Sequence, residues 1–376
     1  MNRKLLILHD SAEFGGHERM LLALLPAVLG ADSPFAEVVF CFPSANRRLL
    51  GALEGLSPRL RLIQWPFVKR RAEPYLHRFR WRYRAAVRKI VATERPDTVL
   101  LVHGRIENLA VPMATMPRST LLVSYLPMAH RLGDMGRSGG FADWARRALY
   151  RRADRFIVPS EAVAVQIAAA GGAGPVTVAH NVVAPLASSD RVEARTALDL
   201  PLAPRIALFL GRLEAEQKGL DQLLASIKRA DPARLSEWIF LFVGDGPGRT
   251  LLDAAAHDLP VNIRIVSWTD RPDLYLSAAD MLLLPSRWEG VPLVMLEAMH
   301  YGLPILAADI DVYRLYLPAD HVVDFDHVDL PETLDRMMRP EAITAFASDA
   351  ARRLEGQSLH ASQSSFVAAL TPEAAR

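Results

Sequence analysis

Two glutamates eight positions apart mark the part of the sequence best suited to chemistry. Glu289 and Glu297 lie on either side of Gly290 and Pro292, directly after the apolar run Met281–Leu284. The run predicts a buried strand, and a proline at this position is typical of a helix start. Glu289 is therefore expected in the loop at the carboxyl end of a strand, and Glu297 on the following helix. The alternative is a solvated loop glutamate and a surface helix glutamate.

The turn between these glutamates is expected to bind a polar or anionic ligand. It consists of Gly290, Val291, Pro292 and Leu293. Backbone N–H groups at a helix start have no partner inside the helix and lie at the positive end of its dipole. They should therefore point at the ligand.

A second loop supplies two cations. The apolar run Arg205–Leu210 continues into GRLEAEQKGLD, which places Arg212 and Lys218 between a predicted strand and a predicted helix. An arginine fork and a lysine ammonium beside a helix start suit a diphosphate. The alternative is a basic loop neutralised by Glu214 and Glu216.

Short apolar runs alternate with longer segments of helical period along the whole chain, which is typical of parallel α/β units. The predicted strands are 4–9, 37–42, 60–65, 98–102, 120–125, 155–159, 176–180, 205–210, 238–243, 262–266, 281–284, 304–307 and 321–323. Helices predicted in the first half are 17–30, 75–94, 141–152 and 161–171.

The length of 376 residues suits two domains of comparable size. The interval 182–204 holds three prolines and little periodicity, and we interpret it as a hinge. We expect an N-terminal domain at 1–185, a C-terminal domain at 186–357, and a last helix at about 358–376 that packs back on the first domain. Two doubly wound domains of this kind place a ligand cleft between the carboxyl ends of their strands.

Composition argues against several classes of protein. Cys41 is the single cysteine, so an intramolecular disulfide and a multi-cysteine zinc site are excluded. No apolar run approaches the length that spans a bilayer, and the apolar stretch near the start is shorter than the core of a signal peptide. A cytoplasmic protein is expected.

The net charge of +2 conceals an uneven distribution. Residues 1–180 contain 26 Lys and Arg against 14 Asp and Glu. Such an excess predicts an anionic partner for the N-terminal half, either a membrane surface or a phosphorylated acceptor. Nucleic acid is not expected, because no nucleic-acid-binding motif accompanies the charge.

The segment 68–90 concentrates this charge, with nine Lys and Arg and one Glu. Leu76, Phe79, Tyr83, Val87 and Ile90 recur at helical spacing, which predicts one apolar face. Four basic residues lie largely elsewhere on the helix: Arg78, Arg82, Arg88 and Lys89. A face of this kind fits peripheral binding to anionic lipid, and the alternative is an ordinary packed helix with a solvated basic side.

The order of these motifs resembles the large family of retaining GT-B glycosyltransferases, of the family 4 or group 1 type, that includes bacterial polysaccharide and lipopolysaccharide enzymes. The matching motifs are Gly211-Arg212 with Lys218-Gly219, Gly244-Asp245-Gly246-Pro247, Glu289 with Glu297-Ala298-Met299, Gly302-Leu303-Pro304, and the N-terminal loop Gly15-Gly16-His17-Glu18. The resemblance is specific in the C-terminal half and modest in the N-terminal half.

The resemblance implies an α/β fold of two Rossmann-like domains that face a cleft. It also implies roles for particular residues. Glu297 would hold the donor ribose, Glu289 the donor sugar hydroxyls, Arg212 and Lys218 the diphosphate, and the amides after Gly290 the sugar. Gly15 and Gly16 would border the donor from the acceptor side. Related enzymes often carry a histidine near the donor sugar, for which His130 is the candidate and His103 the competitor.

Two further features bear on cofactors and the nucleobase. Asp309-Ile310-Asp311 and Asp324-Phe325-Asp326 each contain an Asp-x-Asp pair of the kind that holds a divalent ion. Because the fold implied here resembles metal-independent enzymes, and because aspartate is common in loops, we expect no metal and no cofactor. Trp268 stands where glycine is usual in the family, and it either lines the nucleobase site or packs.

The expected function is transfer of a hexose from a UDP- or GDP-sugar to a saccharide or lipid-linked acceptor in polysaccharide or glycolipid synthesis. Fold alone does not determine the reaction. The alternatives are a nucleotide-sugar epimerase or a phosphorylase on the same architecture, and a non-catalytic protein that binds sugar nucleotides.

Overall fold

The computed structural model describes residues 3–67, 77–136, 139–183 and 189–371. The chain forms two compact units, one made of Met1–Val182 with Gln357–Arg376 and the other of Val183–Gly356. Within the described residues, each unit is built around one parallel sheet.

The sheet of the N-terminal unit has seven strands among the residues described, in the order β3-β2-β1-β4-β5-β6-β7. They are β1 (Arg3–His9), β2 (Phe35–Pro43), β3 (Leu60–Trp65), β4 (Thr98–Val102), β5 (Leu121–Tyr125), β6 (Arg155–Val158) and β7 (Val176–Val178). The central strands are continuous apolar runs because helices cover both faces of the sheet.

Six helices of the described chain connect these strands. They are α1 (Gly16–Leu29), α2 (Arg47–Leu53), α3 (Trp81–Glu94), α4 (Ala110–Thr115), α5 (Gly140–Tyr150) and α6 (Glu161–Ala170). Helices α3 to α6 pack on one face of the sheet, where Val87, Tyr150 and Ile167 join the same core. Helices α1 and α2 pack on the other face through Leu24 and Leu49.

The sheet of the C-terminal unit has six strands in the described part of the chain, in the order β10-β9-β8-β11-β12-β13. They are β8 (Arg205–Leu210), β9 (Trp238–Val243), β10 (Asn262–Val266), β11 (Met281–Leu284), β12 (Ile305–Ala308) and β13 (Val322–Val323). The helices that follow Val183 are α7 (Arg191–Ala197), α8 (Leu220–Arg229), α9 (Arg249–Asp258), α10 (Pro272–Ala278), α11 (Leu293–His300), α12 (Asp311–Tyr316), α13 (Leu330–Met337), α14 (Pro340–Leu354) and α15 (Leu359–Leu370).

The last helix, α15, packs on the N-terminal unit. The Thr98 hydroxyl donates to the Leu370 carbonyl at 2.9 Å, and the Ser362 hydroxyl donates to the His180 carbonyl at 3.0 Å. The Phe366 ring meets the Tyr125 ring edge-on, with centroids 5.8 Å apart. Helix α15 therefore covers the same face of the sheet as α1 and α2.

The predicted hinge at 182–204 contains a helix, α7, and the division between the two units lies at its start, between Val182 and Val183. The Asp190 carboxylate caps this helix by accepting from the N–H groups of Val192 and Glu193. Helix α7 packs against α10 in the C-terminal unit. It has only seven residues, fewer than two turns, so its sequence shows no helical period.

Phe79 also differs from its predicted place on an apolar helix face. It lies in a short 3₁₀ turn, His77–Phe79, before α3, and its side chain is 76% exposed. Leu76 and the side chain of Arg78 lie outside the described residues. Among the described helices, none is both long enough and apolar enough to cross a bilayer.

Candidate functional site

The strand order of the C-terminal unit reverses between β8 and β11, which are neighbours in the sheet. The chain leaves β8 toward β9 on one side and β11 toward β12 on the other. Loops at the carboxyl ends of two such strands diverge and leave a crevice, where doubly wound sheets bind ligands. The loop after β8 carries Arg212 and Lys218, and the loop after β11 carries Glu289.

Glu289 is buried in the loop after β11, with 7% of the residue exposed. Its Oε1 atom lies 2.5 Å from the Lys218 ammonium and accepts a hydrogen bond from the Ser286 hydroxyl at 2.9 Å. The interpretation of Glu289 as a solvated loop glutamate is therefore wrong. The structure instead brings together two residues that are predicted from separate motifs.

A close approach of the two backbones holds this ion pair in place. Gly219 has a φ of +64°, and a Cβ there would lie 1.8 Å from the Pro285 carbonyl oxygen. Only glycine fits this position, which explains the Lys-Gly pair in the loop. The Gln222 side chain donates to the same carbonyl, and the Arg287 N–H donates to the Gln217 carbonyl at 2.9 Å. The loops after β8 and β11 are thus one hydrogen-bonded structure.

Glu297 lies on α11 and is 3% exposed, so the interpretation of a surface helix glutamate is also wrong. Helix α11 begins at Leu293 with Pro292 as its N-cap, as the position of the proline predicts. No side chain caps this helix. The N–H groups of Gly290, Val291 and Leu293 therefore lie at or just before a helix end that a polar ligand can complete.

Arg212, the other cation of this loop, pairs with a different glutamate. Its guanidinium pairs with the Glu214 carboxylate, and about half of its side chain is exposed. This is the local neutralisation that the sequence allows as an alternative for the basic loop. Arg212 would have to exchange Glu214 for a ligand in order to bind a diphosphate.

The glycine-rich turn after β9 has a packing role. A Cβ on Gly244 would lie 1.9 Å from the Gly211 carbonyl oxygen, and a Cβ on Gly246 would lie 2.2 Å from the Leu213 carbonyl oxygen. The Asp245 carboxylate accepts the Trp268 N–H at 3.1 Å. The Trp268 side chain is 55% exposed, so it does not belong to the core. The turn therefore fixes the loop that carries Arg212 and leaves the indole at the surface.

The N-terminal unit has the same reversal of strand order, between β1 and β4. Gly15 and Gly16 are both exposed after β1, Gly15 as the N-cap of α1 and Gly16 as its first residue. The Glu18 carboxylate accepts the Gly15 N–H at 2.8 Å through Oε2 and contacts His9 Nε2 at 2.9 Å through Oε1. His9 and Glu18 are both buried. A buried pair thus ties the glycine loop to the end of β1.

The Glu18 carboxyl is strongly ionised despite its burial. Burial alone would raise its pKa, but the hydrogen bond from His9 and the electrostatic influence of His9 and His17 outweigh that effect and lower the pKa to about 2. His9 Nδ1 accepts the Ser11 N–H at 3.3 Å, so Nε2 carries the proton that His9 donates to Glu18. Glu18 is therefore a fixed negative charge at the carboxyl end of this sheet.

Two further histidines lie beside this pair. The His17 ring packs on Tyr125 with centroids 4.6 Å apart, and burial lowers the pKa of His17 to about 4. His103, directly after β4, is fully buried, and burial together with the nearby His17 lowers its pKa to about 3. Both imidazoles are neutral at pH 7. The prediction names His103 as a competitor for a site role, but it assigns no role to His9, His17 or Glu18.

His130, the preferred histidine of the prediction, lies in a different environment. Its Nε2 is 3.4 Å from the Gln166 amide on α6, and its carbonyl accepts from the Arg146 guanidinium at 3.1 Å. Arg146 is buried and pairs with Glu107 at 2.9 Å. These contacts join His130 to α5 and α6, whereas the pKa of His103 is influenced by His17 and His9.

Both Asp-x-Asp pairs have protein partners. Arg314 contacts both carboxylate oxygens of Asp309, at 2.5 and 2.7 Å. The Asp324 carboxylate contacts His327 Nδ1 at 2.6 Å and accepts the Asp326 N–H at 2.9 Å. Across the described ranges, no group of three or more His, Cys, Asp or Glu side chains has the geometry of a metal site.

Comparisons with known proteins identify both halves of the chain. A family model described as glycosyl transferase 4-like domain matches residues 19–182, and one described as glycosyl transferases group 1 matches residues 204–329. The chain is similar to the lipopolysaccharide core biosynthesis glycosyltransferase LpsE of Rhizobium meliloti, at 27% identity over 54% of this chain and 57% of that protein. It is also similar to the putative teichuronic acid biosynthesis glycosyltransferase TuaC of Bacillus subtilis, at 35% identity over 31% of this chain and 28% of that protein. These matches span less than two thirds of either relative.

Solved structures extend the likeness to the whole fold. HepE of Anabaena, crystallised with UDP and glucose, superposes with a TM-score of 0.76 at 17% identity, over 98% of this chain and 99% of that one. WaaG, a glycosyltransferase involved in lipopolysaccharide biosynthesis, gives a TM-score of 0.72 at 18% identity over the same shares. The predicted fold class, two Rossmann-like parallel-sheet domains of the GT-B type, is confirmed. Two glycosyltransferase family models thus match most of the chain, the 4-like domain in its N-terminal half and the group 1 domain in its C-terminal half.

Proposed function

We propose that the protein is a retaining glycosyltransferase that moves a hexose from a UDP- or GDP-sugar to a saccharide or lipid-linked acceptor. The observation that carries the proposal is the pair of the partly exposed Lys218 with the buried Glu289, at the strand-order reversal of the C-terminal unit and beside the uncapped start of α11. UDP is the first nucleotide to test, because HepE, which shares the fold, was crystallised with UDP and glucose.

The donor site needs a cation for the diphosphate and a carboxylate for the sugar. Lys218 is part exposed, with 23% of its side chain accessible, and its flexible stem lets the ammonium turn from Glu289 to an incoming diphosphate. Glu289, still hydrogen-bonded to Ser286, would then accept hydroxyl groups of the sugar. Glu297 would accept the ribose hydroxyls, and the amides at the start of α11 would bind the sugar.

The reaction breaks the bond between the sugar C1 and the diphosphate oxygen and forms a bond between C1 and the acceptor oxygen. The acceptor's hydroxyl proton passes to the leaving diphosphate oxygen, so both changes occur on the same face of the sugar and the anomeric configuration is retained. Negative charge grows on the diphosphate as the bond breaks. Lys218, Arg212 and the dipole of helix α11 stabilise that charge. Glu289 serves as a hydroxyl acceptor in this scheme, and no second carboxylate of the hydrolase type is required.

Substitution of the site residues tests this proposal. We expect Glu289→Gln and Glu297→Gln each to lose most transfer activity while the protein stays folded by circular dichroism. Lys218→Ala should weaken UDP binding by about 1.5–3 kcal/mol, roughly 10- to 100-fold, because a charge-assisted contact is lost. Glu341→Gln, which changes an exposed glutamate on α14, is the matched control.

The assay must also separate the rival functions. A thermal-shift screen against UDP, GDP, ADP and their sugars identifies the donor, and incubation with acceptor extracts then follows sugar transfer. Interconversion of one nucleotide sugar into another without an acceptor would support an epimerase instead. Nucleotide binding without any turnover would support a non-catalytic binding protein. Parental turnover in all three site variants would refute the assignment of the residues.

We also propose that the N-terminal unit binds anionic membranes through α3. Phe79 and Trp81 are 76% and 72% exposed, and Arg82, Arg88 and Lys89 are exposed beside them, whereas Tyr83 and Val87 pack in the core. Each basic residue near anionic lipid contributes about 1 kcal/mol, and the attraction fades within a Debye length of about 8–10 Å. The interpretations of this helix as a packed helix and as a lipid-binding helix are thus compatible, because one side packs in the core and the other side is exposed to solvent.

Vesicle co-sedimentation tests this second part. Wild type should bind phosphatidylglycerol vesicles at low salt and release them as salt increases. Changing Arg78, Arg82, Arg88 and Lys89 to Gln should weaken binding strongly. Equal partitioning of wild type and variant would leave α3 as a packed helix only and would favour a soluble acceptor.

A further inference from the structure

A second basic region of the N-terminal unit is a groove with a volume of about 400 Å³. It is lined by four arginines, one tryptophan, one alanine and one acidic residue: Arg118, Arg147, Arg151, Arg152, Trp144, Ala148 and Asp154. The Asp154 carboxylate already accepts the Leu122 N–H at 2.8 Å. Four guanidinium groups therefore share a groove with one carboxylate, and their mutual repulsion favours an anion between them.

The groove lies at the end of the sheet opposite the glycine loop. Arg118 comes shortly before β5, and Asp154 comes directly before β6, so both mark the amino ends of strands. Gly15, Gly16 and His103 follow the carboxyl ends of β1 and β4. The groove thus lies at the other end of this sheet from the glycine loop, and none of its lining residues belongs to the donor site proposed for the C-terminal unit.

Two of the arginines are held in position. The Arg152 guanidinium donates to the Met116 carbonyl at 3.0 Å and to the Pro117 carbonyl at 3.3 Å. The stem of Arg147 lies over Gly171, where a Cβ would come within 2.7 Å of its Cγ atom. Gly171 has a φ of +93°, so the chain itself leaves space there for the arginine stem. Guanidinium groups fixed in this way can form paired hydrogen bonds to phosphate oxygens.

An exposed aromatic pair on the same helix indicates the source of the phosphate. Phe141 and Trp144 of α5 stack with centroids 5.4 Å apart, and each is 69% exposed. Trp144 also lines the groove, and Arg151 follows it by two helical turns, about 10 Å. A soluble phosphate ester needs the arginines but not two large aromatic rings in water. A lipid needs both, because aromatic rings favour the membrane interface at about the depth of the headgroups.

We propose that the groove of Arg118, Arg147, Arg151 and Arg152 binds the phosphate group of an anionic membrane lipid, with Phe141 and Trp144 inserted into the interface beside it. Helix α5 packs on the same face of the sheet as α3, so its exposed side belongs to the same helical layer as Phe79 and Trp81. The site differs from the α3 surface in having a defined cavity, and it therefore discriminates among headgroups rather than responding to charge alone.

The experiment compares two variants of equal charge on phosphatidylglycerol vesicles. The first changes Arg118, Arg147 and Arg151 to Gln, leaving Arg152 because it supports backbone carbonyls. The control changes Arg47, Arg48 and Lys228 to Gln, which are exposed residues on α2 and α8. At about 1 kcal/mol for each basic residue near the lipid, we expect about 100-fold weaker binding for the groove variant and less than about threefold for the control. Equal loss in both variants would overturn the proposal in favour of general charge attraction.

Two further measurements identify the ligand. Tryptophan emission should shift to shorter wavelength on addition of phosphatidylglycerol vesicles, and Trp144→Phe should remove most of that shift. Thermal stabilisation by millimolar inorganic phosphate or glycerol phosphate equal to that by vesicles would overturn the lipid assignment and make the ligand a soluble phosphate ester. UDP binding serves as the folding and donor-site control, because it should be unchanged in the groove variant whether or not the proposed transfer reaction is correct.

Discussion

Glu18→Gln is the most informative single substitution in the N-terminal unit. In the native chain the carboxylate accepts from two donors, His9 Nε2–H and the Gly15 N–H. A glutamine has one carbonyl oxygen and one amide NH₂ in their place, so it can accept from only one of them. His9 cannot simply become the acceptor, because its Nδ1 already accepts from Ser11. The substitution therefore leaves a buried donor facing another donor.

The expected magnitude follows from the pKa of Glu18. Its depression from an ordinary value of 4.5 to about 2 corresponds to about 3 kcal/mol of folding free energy at pH 7. Because the folded-state pKa is the lower one, this stabilisation is present above pH 4.5 and is lost as the pH falls through about 2. At pH 3 about half of it should remain. Wild type and Glu18→Gln should thus differ by about 3 kcal/mol at pH 7 and by about half as much at pH 3.

Urea unfolding at pH 7, 5 and 3, followed by far-UV circular dichroism, measures this difference. Glu13→Gln is the matched control, since it removes an exposed carboxylate from the same loop and should change stability by less than about 0.5 kcal/mol. Hydrogen exchange at the Gly15 amide should also become faster in Glu18→Gln. A difference in stability that stays constant from pH 7 to pH 3 would refute the role assigned to the ionised carboxylate.

Two further predictions concern the C-terminal unit. Activity should survive EDTA, because the carboxylates of Asp309 and Asp324 are engaged by protein partners and Lys218 supplies charge for the diphosphate; loss on chelation, restored by Mg²⁺ or Mn²⁺, would contradict this. The buried Arg195 guanidinium lies 2.5 Å from the Asp280 carboxylate. Asp280→Ala removes this counter-charge and should therefore lower the free energy of unfolding by about 3–5 kcal/mol. Urea unfolding measures that loss, and Asp335→Ala, at an exposed aspartate whose distance to its arginine is 3.8 Å, should change stability little.

The strands were predictable because parallel sheets bury both faces. Each central strand is a continuous apolar run that ends at a polar or glycine-rich loop, and six of the predicted ranges agree with the structure at both ends: 60–65, 98–102, 205–210, 238–243, 262–266 and 281–284. Helix α7 was missed because its buried side is not purely apolar. The inward side of this short helix includes Arg195, and no hydrophobic pattern reports a charged residue that is buried against Asp280.

Site residues were predictable only as far as the loops that carry them. Parallel strands end at the same edge of a sheet, so the motifs place the loops that carry Glu289 and Lys218 at one edge of the C-terminal sheet. Their direct contact joins residues 71 positions apart, and sequence spacing does not reveal it. Arg212 lies in the predicted loop, but its guanidinium pairs with Glu214, two positions along the chain. Its loop position alone therefore does not show which partner it binds. The roles of His9 and Glu18 were missed because the pair forms between a strand end and a helix start.

The strand order reverses between β1 and β4 and again between β8 and β11. These two reversal points differ in how far a bound ligand can rearrange the side chains beside them. Glu18 and His9 are both buried and each is further bonded to backbone, so the glycine loop of the N-terminal unit is already fixed before anything binds. At the other reversal point, the Lys218 ammonium is partly exposed and bonds one oxygen of Glu289, which keeps its bond to Ser286. A diphosphate can therefore take the lysine without leaving Glu289 unpaired, because sugar hydroxyls can replace the ammonium at the same oxygen. Binding of the complete nucleotide sugar should accordingly stabilise the protein more than UDP alone, since only the former supplies both partners. Equal thermal shifts from UDP and from the preferred UDP-sugar would show that Lys218 and Glu289 remain paired when the nucleotide is bound.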